Sequence, residues 1–294
     1  MVSEHRWERG NDFPIAEAEH LHDLCQPHGM PRVLFGAGER LDALSAPMLA
    51  VVGTRAATPH GLADARDIGA FCARAGITVV SGLAIGVDAA AHEGALDAGG
   101  LTIGVVATGL DRVYPLRHEH LYARVREQGL IVTENPPRTA PLPWRFPVRN
   151  RIIAGLGRAT VVVEATRTGG ALSTARYARD FGRDVYAMPG SRRNPAAAGC
   201  NALIRDGAET LLDPSDVLFA IGAGGTVEGG WTPSPKPPAD RDQRAVLRAM
   251  AGTGTTIDEL ERGCTLPADR LGAALRALER SGRVTRKRGM WWPA

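Results

Sequence analysis

Short apolar runs alternate with amphipathic stretches along most of the chain. The apolar runs are MLAVVG (48–53), ITVVSG (77–82), LTIGVVATG (101–109), LIVTE (130–134), ATVVVEA (159–165) and DVYAMPG (184–190). Between the first two, Ala65, Ile68 and Cys72 recur at three- and four-residue spacing, which predicts a helix with one buried face. Strands that are apolar throughout are typical of a parallel sheet covered on both faces. The pattern therefore predicts an α/β fold with a doubly wound, mostly parallel sheet.

The pattern changes after residue 221. Residues 222–240 are rich in Gly and Pro and have no periodicity, which predicts a linker. Three short helical patterns follow, over 241–252, 256–263 and 267–282, and RVTRKRGMWWP (283–293) then has the pattern of a strand–turn–strand wing with Gly289 at or near its turn. Residues 241–294 are therefore predicted to form a small C-terminal winged-helix domain.

Composition narrows the class of protein. The 294 residues are 44% hydrophobic and 23% charged, as in a packed globular protein. No apolar run approaches the ~18 residues of a membrane span and the N-terminus has no hydrophobic signal core, so we expect a cytoplasmic protein that does not bind membranes. The four cysteines are far apart and form no CxxC pair, which argues against a zinc site and against disulfides.

Positive charge is concentrated in two regions. The net charge is only +3, but residues 144–205 have a balance of +8 and residues 241–294 one of +5, so the remaining residues carry −10. Two basic regions on an otherwise acidic chain indicate an anionic polymer as the partner.

Three predicted strands end in glycine-bearing turns that precede a helix. The residues of these turns are Gly53, Thr54 and Arg55, then Ser81 and Gly82, and then Gly169 and Gly170. Ligands of such sheets bind beyond the carboxyl ends of the strands, where helix N-termini present N–H groups and a guanidinium can hold a phosphate through two hydrogen bonds. Each turn alone also fits an ordinary strand-to-helix connection, but three in one sheet indicate a ligand crevice.

Other chemical motifs are weak or absent. Asp88 and His92 are four residues apart on one predicted helix face, so a metal pair is conceivable, but no third ligand is apparent and we favour a capping or hydrogen-bonding pair. The chain has no GxxxxGK[ST] and no GxGxxG in a strand-to-helix turn, which argues against P-loop ATP hydrolysis and ordinary dinucleotide binding. We therefore expect no cofactor, no metal and no catalytic residue.

Arginines and aromatic residues are concentrated within WRFPVRNR (144–151). A charge cluster of this kind is often a solvated loop. Alternatively, Arg149 and Arg151 reach phosphates while Phe146 or Trp144 stacks on a base, the combination that single-strand binders use. The sequence alone leaves both interpretations open.

Taken in order, these stretches resemble the bacterial DNA-processing protein A family, also called DprA or Smf. The matching motifs, which span about residues 30–220, are VVGTR, SGLAIGVDAAAHEGAL, TGLDRVYPLRHEHL, FPVRNRIIAGL, GGALSTARYARDFGR, MPG and GCNALIRDGA. The resemblance implies an extended Rossmann-like fold that binds single-stranded DNA without cleaving it. It further implies homodimers that load the RecA recombinase onto incoming DNA and displace or bypass single-strand-binding protein during natural transformation.

The resemblance also implies a DNA-binding pocket lined by the first glycine turn and the FPxRNR-like motif. The residues carried over are Gly53, Thr54, Arg55, Arg149, Asn150 and Arg151, with Ser81, Gly82, Gly169 and Gly170 as secondary contacts; Phe146 joins them on the stacking argument. Thr54 stands where the family usually has Ser and keeps a hydroxyl. Gly169 stands where Ser is common, so one donor to a phosphate is lost.

The predicted domains follow from the patterns and the resemblance. Residues 30–221 form the Rossmann-like DNA-binding domain, 222–240 the linker and 241–294 the winged helix. Residues 1–29 are too short for the N-terminal helical domain that many family members carry, so we expect a short extension with a helical remnant over 16–25.

The winged helix has two open interpretations. A third helix of this kind lies in the major groove in helix-turn-helix modules, and the basic residues that would face DNA are Arg276, Arg280, Arg283, Arg286, Lys287 and Arg288. Alternatively, the same surface contacts a protein partner or has a purely structural role.

The main alternative function is enzymatic. Related Rossmann-like sheets occur in nucleotide phosphoribohydrolases, where an Arg and a Glu cleave an N-glycosidic bond, and Arg151 with Glu164 could mimic that pair. The PGGxGTxxE signature of those enzymes is absent, and they do not account for a winged helix. Arg149 or Arg151 can also form a structural ion pair with Glu164 or Glu134. A third hypothesis makes the sheet a sensor of a nucleotide signal.

Overall fold

The computed structural model describes residues 4–8, 29–31, 33–222, 240–250, 255–264, 266–281, 283–287 and 289–293. It divides into two compact units, Met1–Trp231 and Thr232–Ala294. The predicted helix over 16–25 and most of the predicted linker lie outside the described residues.

The first unit is built on one nine-stranded sheet within the described residues. Its strands are β1 Glu4–Glu8, β2 Val33–Gly38, β3 Met48–Val52, β4 Thr78–Ser81, β5 Thr102–Val105, β6 Leu130–Thr133, β7 Ala159–Val162, β8 Asp184–Ala187 and β9 Glu209–Thr210. Their order across the sheet is β1-β2-β6-β5-β4-β3-β7-β8-β9. The seven strands from β3 to β9 run parallel, and β2 is antiparallel to β6.

Helices connect the parallel strands. They are α1 Pro59–Arg74, α2 Val87–Asp97, α3 Glu119–Gln128, α4 Arg145–Leu156, α5 Ala171–Asp180 and α6 Ala198–Arg205, with 3-10 turns at Leu41–Leu44, Leu116–His118, Pro195–Ala197 and Pro214–Val217. Thr58 caps α1 by accepting a hydrogen bond from the Gly61 N–H, and Pro59 at the first helical position has the φ that a helix needs.

The sheet is covered on both faces, as the continuous apolar runs predict. All five residues of β3 are buried. Ala50 and Val52 belong to a cluster with Ile153 of α4, whereas Leu49 and Val51 belong to a second cluster that includes residues of α1. Side chains of a strand alternate between faces, so α1 and α4 lie on opposite sides of the sheet. The predicted doubly wound, Rossmann-like α/β fold is confirmed.

The strand order reverses between β3 and β7. From β3 the chain moves through β4 and β5 to β6 on one side, and β7 then returns to the other side of β3 and continues to β8 and β9. Loops on the two sides diverge at such a switch point and leave a crevice beyond the carboxyl ends of the strands. The fold thus places a ligand crevice after β3 and β7.

Three strands differ from the sequence expectation, namely β1, β2 and the short β9, which lies outside the predicted apolar runs. β1 pairs with β2 from Glu4 to Glu8, although this segment was predicted to be only an extension, and β2 was not among the predicted strands. β1 and β2 are antiparallel to their neighbours in the sheet, so they lie outside the parallel strand–helix repeat that the pattern predicts. No helix among the described residues is long and apolar enough to cross a membrane.

The second unit has the predicted winged-helix elements. They are α7 Arg241–Met250, α8 Ile257–Gly263, α9 Ala268–Arg280, β10 Val284–Lys287 and β11 Met290–Pro293. Leu271, Leu275 and Leu278 of α9 are buried in one core with Trp291 of β11. Gly289 has a φ of +79° in the turn between the two wing strands, a conformation that glycine adopts without strain.

Candidate nucleic-acid interface

A cavity of about 510 Å³ lies at the switch point of the sheet. Its walls come from the loop after β3, the turn before α5, and the first half of α4 with the proline-rich segment that precedes it. The cavity is lined by Gly53, Thr54 and Arg55 on one side and by Gly169 and Gly170 on the other. The structure therefore brings together two of the three glycine turns that the sequence singled out.

Glycine is required at position 53 because the loop after β3 runs against α2. A Cβ on Gly53 would lie 2.4 Å from Cγ2 of Val87, far inside van der Waals contact. The Thr54 N–H donates to the carbonyl of Glu164 (2.7 Å), and the Thr54 hydroxyl accepts from the Ala56 N–H (3.2 Å). These contacts hold the backbone that presents Arg55 to the cavity.

Arg55 and two aromatic rings form an exposed wall of the cavity. The Arg55 guanidinium carbon lies 5.4 Å from the centroid of the Phe146 ring, within the range of a cation–π contact. The Tyr114 ring lies 5.3 Å from the Phe146 ring at an interplanar angle of 45°. Within the described residues no carboxylate lies within ion-pair distance of Arg55, which is exposed. Tyr114 is not among the predicted site residues, although it lies within the motif TGLDRVYPLRHEHL.

Trp144, the alternative stacking residue, has a different position. Its side chain is 58% exposed and is not part of the cavity wall. The Arg145 guanidinium carbon lies 4.6 Å from the Trp144 ring. Phe146 is thus the aromatic residue of the 144–151 segment that faces the cavity.

Helix α1 does not offer its N-terminus to a ligand. Glu164, which is buried, accepts hydrogen bonds from the Thr58 N–H (2.8 Å) and the Thr58 hydroxyl (2.7 Å). A carboxylate at this end of the helix compensates the positive end of the dipole and would repel a phosphate. Glu164 caps α1 and is bonded to Thr58, so it is not paired with Arg151 as the enzymatic alternative requires.

Helix α5 does present its N-terminus to the cavity. Gly170 precedes the first helical residue, no side chain of the described residues caps this end, and Gly169, Gly170 and Ala171 line the cavity. The Asn150 amide donates to the Gly170 carbonyl (3.2 Å) and to the Ser173 hydroxyl (2.8 Å). Asn150 therefore fixes the start of α5, where N–H groups and the dipole favour an anion.

Arg149 lines the cavity, as predicted, but it is buried there. Its side chain is buried, and one guanidinium nitrogen donates to the carbonyls of Gly82 (2.8 Å) and Val105. Burial lowers the pKa of Arg149, and the negative charge of nearby Asp88 raises it. Arg149 thus lines the cavity, but its guanidinium is bonded to carbonyls at the ends of β4 and β5 rather than extended toward a phosphate.

Arg151 is also held by a partner within the protein. Its guanidinium forms a two-pronged ion pair with Glu134, at 3.0 Å and 2.5 Å, and is not part of the cavity wall. This geometry suits a planar guanidinium and a carboxylate. The structural ion pair with Glu134, one of the alternatives that the sequence left open, is confirmed for Arg151.

The second glycine turn is internal rather than ligand-facing. The Ser81 hydroxyl donates to the Val51 carbonyl (2.6 Å), and the Gly82 N–H donates to the Asp88 carboxylate (3.1 Å). Both residues are buried, and Gly82 contacts only a smaller adjoining cavity of about 70 Å³. Of the predicted secondary contacts, Ser81 and Gly82 are therefore buried and are not part of the wall of the larger cavity.

Asp88 and His92 have separate partners. Asp88 accepts from the Gly82 N–H, whereas Nδ1 of His92 is 2.6 Å from the Thr102 hydroxyl. Burial raises the pKa of Asp88, and it lowers the pKa of His92 to about 3, so the imidazole is neutral. Both side chains are hydrogen-bonded, as expected, but each to a different partner rather than to one another. Within the described residues no three His, Cys, Asp or Glu side chains come together as a metal site.

The winged helix exposes part of its predicted basic surface. Arg276 and Arg280 are exposed on α9 and Arg286 on β10, with the Arg286 guanidinium carbon 5.7 Å from the Trp291 ring. Arg283 is half-buried. The side chain of Lys287 and all of Arg288 lie outside the described residues.

Two family models match this chain. One, described as DNA recombination-mediator protein A, matches residues 12–222, and the other, described as DprA winged helix domain, matches residues 232–290. The first therefore covers the unit with the cavity and the second the winged helix.

Curated proteins and solved structures agree with the family models. The chain is 42% identical over 269 residues to a putative DNA processing protein DprA of Mycobacterium tuberculosis, which covers 89% of this chain and 68% of that protein. It is 40% identical over 206 residues to DNA processing protein DprA of Streptococcus pneumoniae, covering 70% of this chain and 72% of that protein.

Two solved structures are also similar. The X-ray structure of DNA processing protein A from S. pneumoniae has a TM-score of 0.67 and 38% identity and covers 73% of each chain. A structure of DNA processing protein A from Helicobacter pylori, determined to explain its single-stranded DNA binding mode, has a TM-score of 0.62 and 26% identity and covers 74% of this chain and 95% of that one.

Proposed function

Because this chain belongs to the DNA-processing protein A family, also called DprA or Smf, we propose that it binds single-stranded DNA without cleaving it. The cavity between β3 and β7 holds part of the strand. One observation carries this proposal: the exposed Arg55 guanidinium lies over the Phe146 ring in the wall of that cavity.

The wall supplies the two interactions that an unpaired strand offers. Arg55 attracts the phosphate backbone, and the rings of Phe146 and Tyr114 can stack on bases, which is worth about 1–3 kcal/mol per base. The N-terminus of α5 adds oriented N–H groups that favour a phosphate. A duplex keeps its base faces stacked inside, so this combination favours single strands.

The ssDNA preference is tested by fluorescence anisotropy with (dT)20 and with a duplex of the same length. We expect tighter binding of the single strand and a log affinity that falls linearly with log salt concentration, with a slope of about 0.7 for each phosphate neutralised. A protein that binds neither DNA, or binds (dT)20 independently of salt, contradicts the proposal.

We do not favour the N-glycosidase alternative, because its two candidate residues are bonded elsewhere. Arg151 pairs with Glu134, and Glu164 is held by Thr58 at the cap of α1. Incubation with AMP is therefore expected to release no adenine. Adenine release that is lost in Glu164→Gln, with the fold intact, would restore the enzymatic alternative.

Family membership further supports a role in recombination. We infer that the protein acts in the cytoplasm as a homodimer that loads RecA onto incoming single-stranded DNA and displaces or bypasses single-strand-binding protein during natural transformation. Two measurements test this. Light scattering is expected to give twice the chain mass of 31.2 kDa, and RecA filaments are expected to form faster on DNA coated with single-strand-binding protein when this protein is added. A monomer, or an unchanged rate, contradicts the respective part.

The winged helix is proposed to bind duplex DNA through α9 and the wing. Arg276 and Arg280 are exposed on α9, in the position of a helix that reads the major groove. Arg280→Ala is expected to lower the slope of duplex binding against salt by about 0.9. The matched control Arg262→Ala removes an exposed charge from α8 and is expected to leave duplex binding unchanged. Equal effects of the two variants contradict this role and favour a protein partner.

A further inference from the structure

Two of the sequence motifs have no role in the cavity, namely MPG (188–190) and GCNALIRDGA (199–208). The structure shows that they join the loops that follow β7 and β8. The Gly199 N–H donates to the Ala165 carbonyl (2.7 Å), and a Cβ on Gly199 would lie 2.6 Å from the Thr166 carbonyl oxygen. Glycine at 199 therefore allows α6 to pack directly against the loop after β7.

The loop after β8 is held in a similar way. The Asn201 amide donates to the Gly190 carbonyl (2.9 Å), and its oxygen accepts from the Gly190 N–H (3.2 Å). Farther along, the Asn194 side chain accepts from the Ala196 N–H (3.0 Å) and caps the next turn. Both ends of the segment 190–194 are thus held by side-chain hydrogen bonds. The loop after β8 therefore has a defined conformation.

These braced loops present three arginines. Arg167 lies in the loop after β7, and Arg192 and Arg193 lie in the loop after β8; all three are exposed. Within the described part of the chain, no carboxylate lies within ion-pair distance of any of them. Residues 188–201 contain no acidic residue at all. The three guanidinium groups therefore have no competing partner in this part of the surface.

The sheet topology sets the positions of these loops relative to the cavity. β3, β7 and β8 are adjacent and parallel, so their carboxyl ends lie in a row at one edge. Neighbouring strands are about 4.8 Å apart, which puts the loop after β8 roughly 10 Å from the loop that carries Arg55.

We propose that Arg167, Arg192 and Arg193 form a phosphate track that carries single-stranded DNA from the cavity across the carboxyl ends of β7 and β8. The track rests on the proposed binding of single-stranded DNA at the cavity and extends it to a surface outside the cavity wall. Its function is to hold the backbone of the nucleotides next to those in the cavity, without reading their bases.

The test compares two variants that each lose three positive charges. Arg167→Ala/Arg192→Ala/Arg193→Ala removes the track. The control, Arg74→Ala/Arg179→Ala/Arg205→Ala, removes three exposed arginines from the C-terminal ends of α1, α5 and α6, at the opposite edge of the sheet.

The readout is the salt dependence of (dT)20 binding measured by anisotropy. Loss of the track is expected to reduce the slope of log affinity against log salt by about 2 and the affinity at low salt by about tenfold or more. The control variant is expected to change the slope much less. Replacing the three track residues by Lys instead of Ala restores the charge and is expected to recover most of the slope.

The outcomes separate this proposal from the proposed function. If the track variant binds (dT)20 like the control while Arg55→Ala still weakens binding, the cavity binds DNA and the track is refuted. If neither Arg55→Ala nor the track variant weakens binding, the cavity assignment fails as well. As a control for folding, the unfolding temperature of each variant is measured. We expect it to equal that of the wild type, because the substituted side chains are exposed.

Discussion

Arg149 provides a sharp test of the structure, because its expected effect is on stability rather than on direct DNA contact. Arg149→Met keeps an unbranched apolar side chain but removes the donors to the Gly82 and Val105 carbonyls. It also leaves the buried carboxylate of Asp88 without the nearby positive charge that lowers its pKa. Leaving a buried hydrogen-bond acceptor without its donor costs about 1–3 kcal/mol, and two carbonyls lose a donor here.

This loss is large compared with a typical free energy of unfolding of about 5–15 kcal/mol. We therefore expect a clear shift in the midpoint of urea unfolding, followed by far-UV circular dichroism. Adding Asp88→Asn to Arg149→Met is expected to recover part of the loss, because the second change removes the uncompensated charge. The coupling between the two sites should reach about 1–3 kcal/mol.

The opposite pattern would refute this assignment. If Arg149→Met changes the free energy of unfolding by less than about 1 kcal/mol yet abolishes (dT)20 binding, then Arg149 acts on the ligand and not on the fold. The same holds if Asp88→Asn recovers nothing in the Arg149→Met background.

Two further predictions concern a glycine and a histidine. Gly53→Ala is expected to lower the free energy of unfolding by about 1–3 kcal/mol, because its Cβ would meet Val87. Gly170→Ala is the control, since a Cβ there has open space, and should leave the midpoint of urea unfolding unchanged. Equal midpoints for both variants would contradict the packing argument. Burial lowers the pKa of His92 to about 3, below the ~6.5 of an unfolded histidine, so the unfolded chain binds the additional proton as the pH falls between these values. The free energy of unfolding should therefore decrease by about 2 kcal/mol more in wild type than in His92→Asn between pH 7.5 and pH 5, and an equal decrease in both proteins refutes it.

The central fold could be predicted because its strands are apolar on both faces. The run 48–53 became β3 at Met48–Val52, and 159–165 became β7 at Ala159–Val162. β1 was not predicted, because EHRWE contains no apolar run and its pairing with β2 comes from a distant part of the chain. Long-range antiparallel pairing at an edge leaves little periodic signal in one sequence.

Part of the site could also be predicted. Gly53, Arg55 and Phe146 were found from a glycine after a strand and from an aromatic residue beside arginines, and they do line one cavity. The spacing of Arg149 in its helix did not reveal that its side chain is buried. That depends on carbonyl groups 67 and 44 positions away in the chain.

Pairing of the remaining arginines is equally a tertiary property. Arg151 and Glu134 are 17 positions apart, on elements that meet only in the folded sheet. Tyr114 lies in the loop after β5, and its ring contacts Phe146 of α4 only in the folded protein. No local sequence pattern predicts this contact. The sequence therefore indicates which residue types are concentrated near the crevice, whereas the fold decides which of them are exposed.

The most direct test of DNA binding in the cavity measures (dT)20 affinity for Arg55→Ala, Phe146→Ala and the double variant at several salt concentrations. We predict that Arg55→Ala reduces the salt slope by about 0.7, that Phe146→Ala costs about 1–3 kcal/mol with little change in slope, and that the double variant binds at least tenfold more weakly than wild type. Wild-type affinity in the folded double variant would contradict the account.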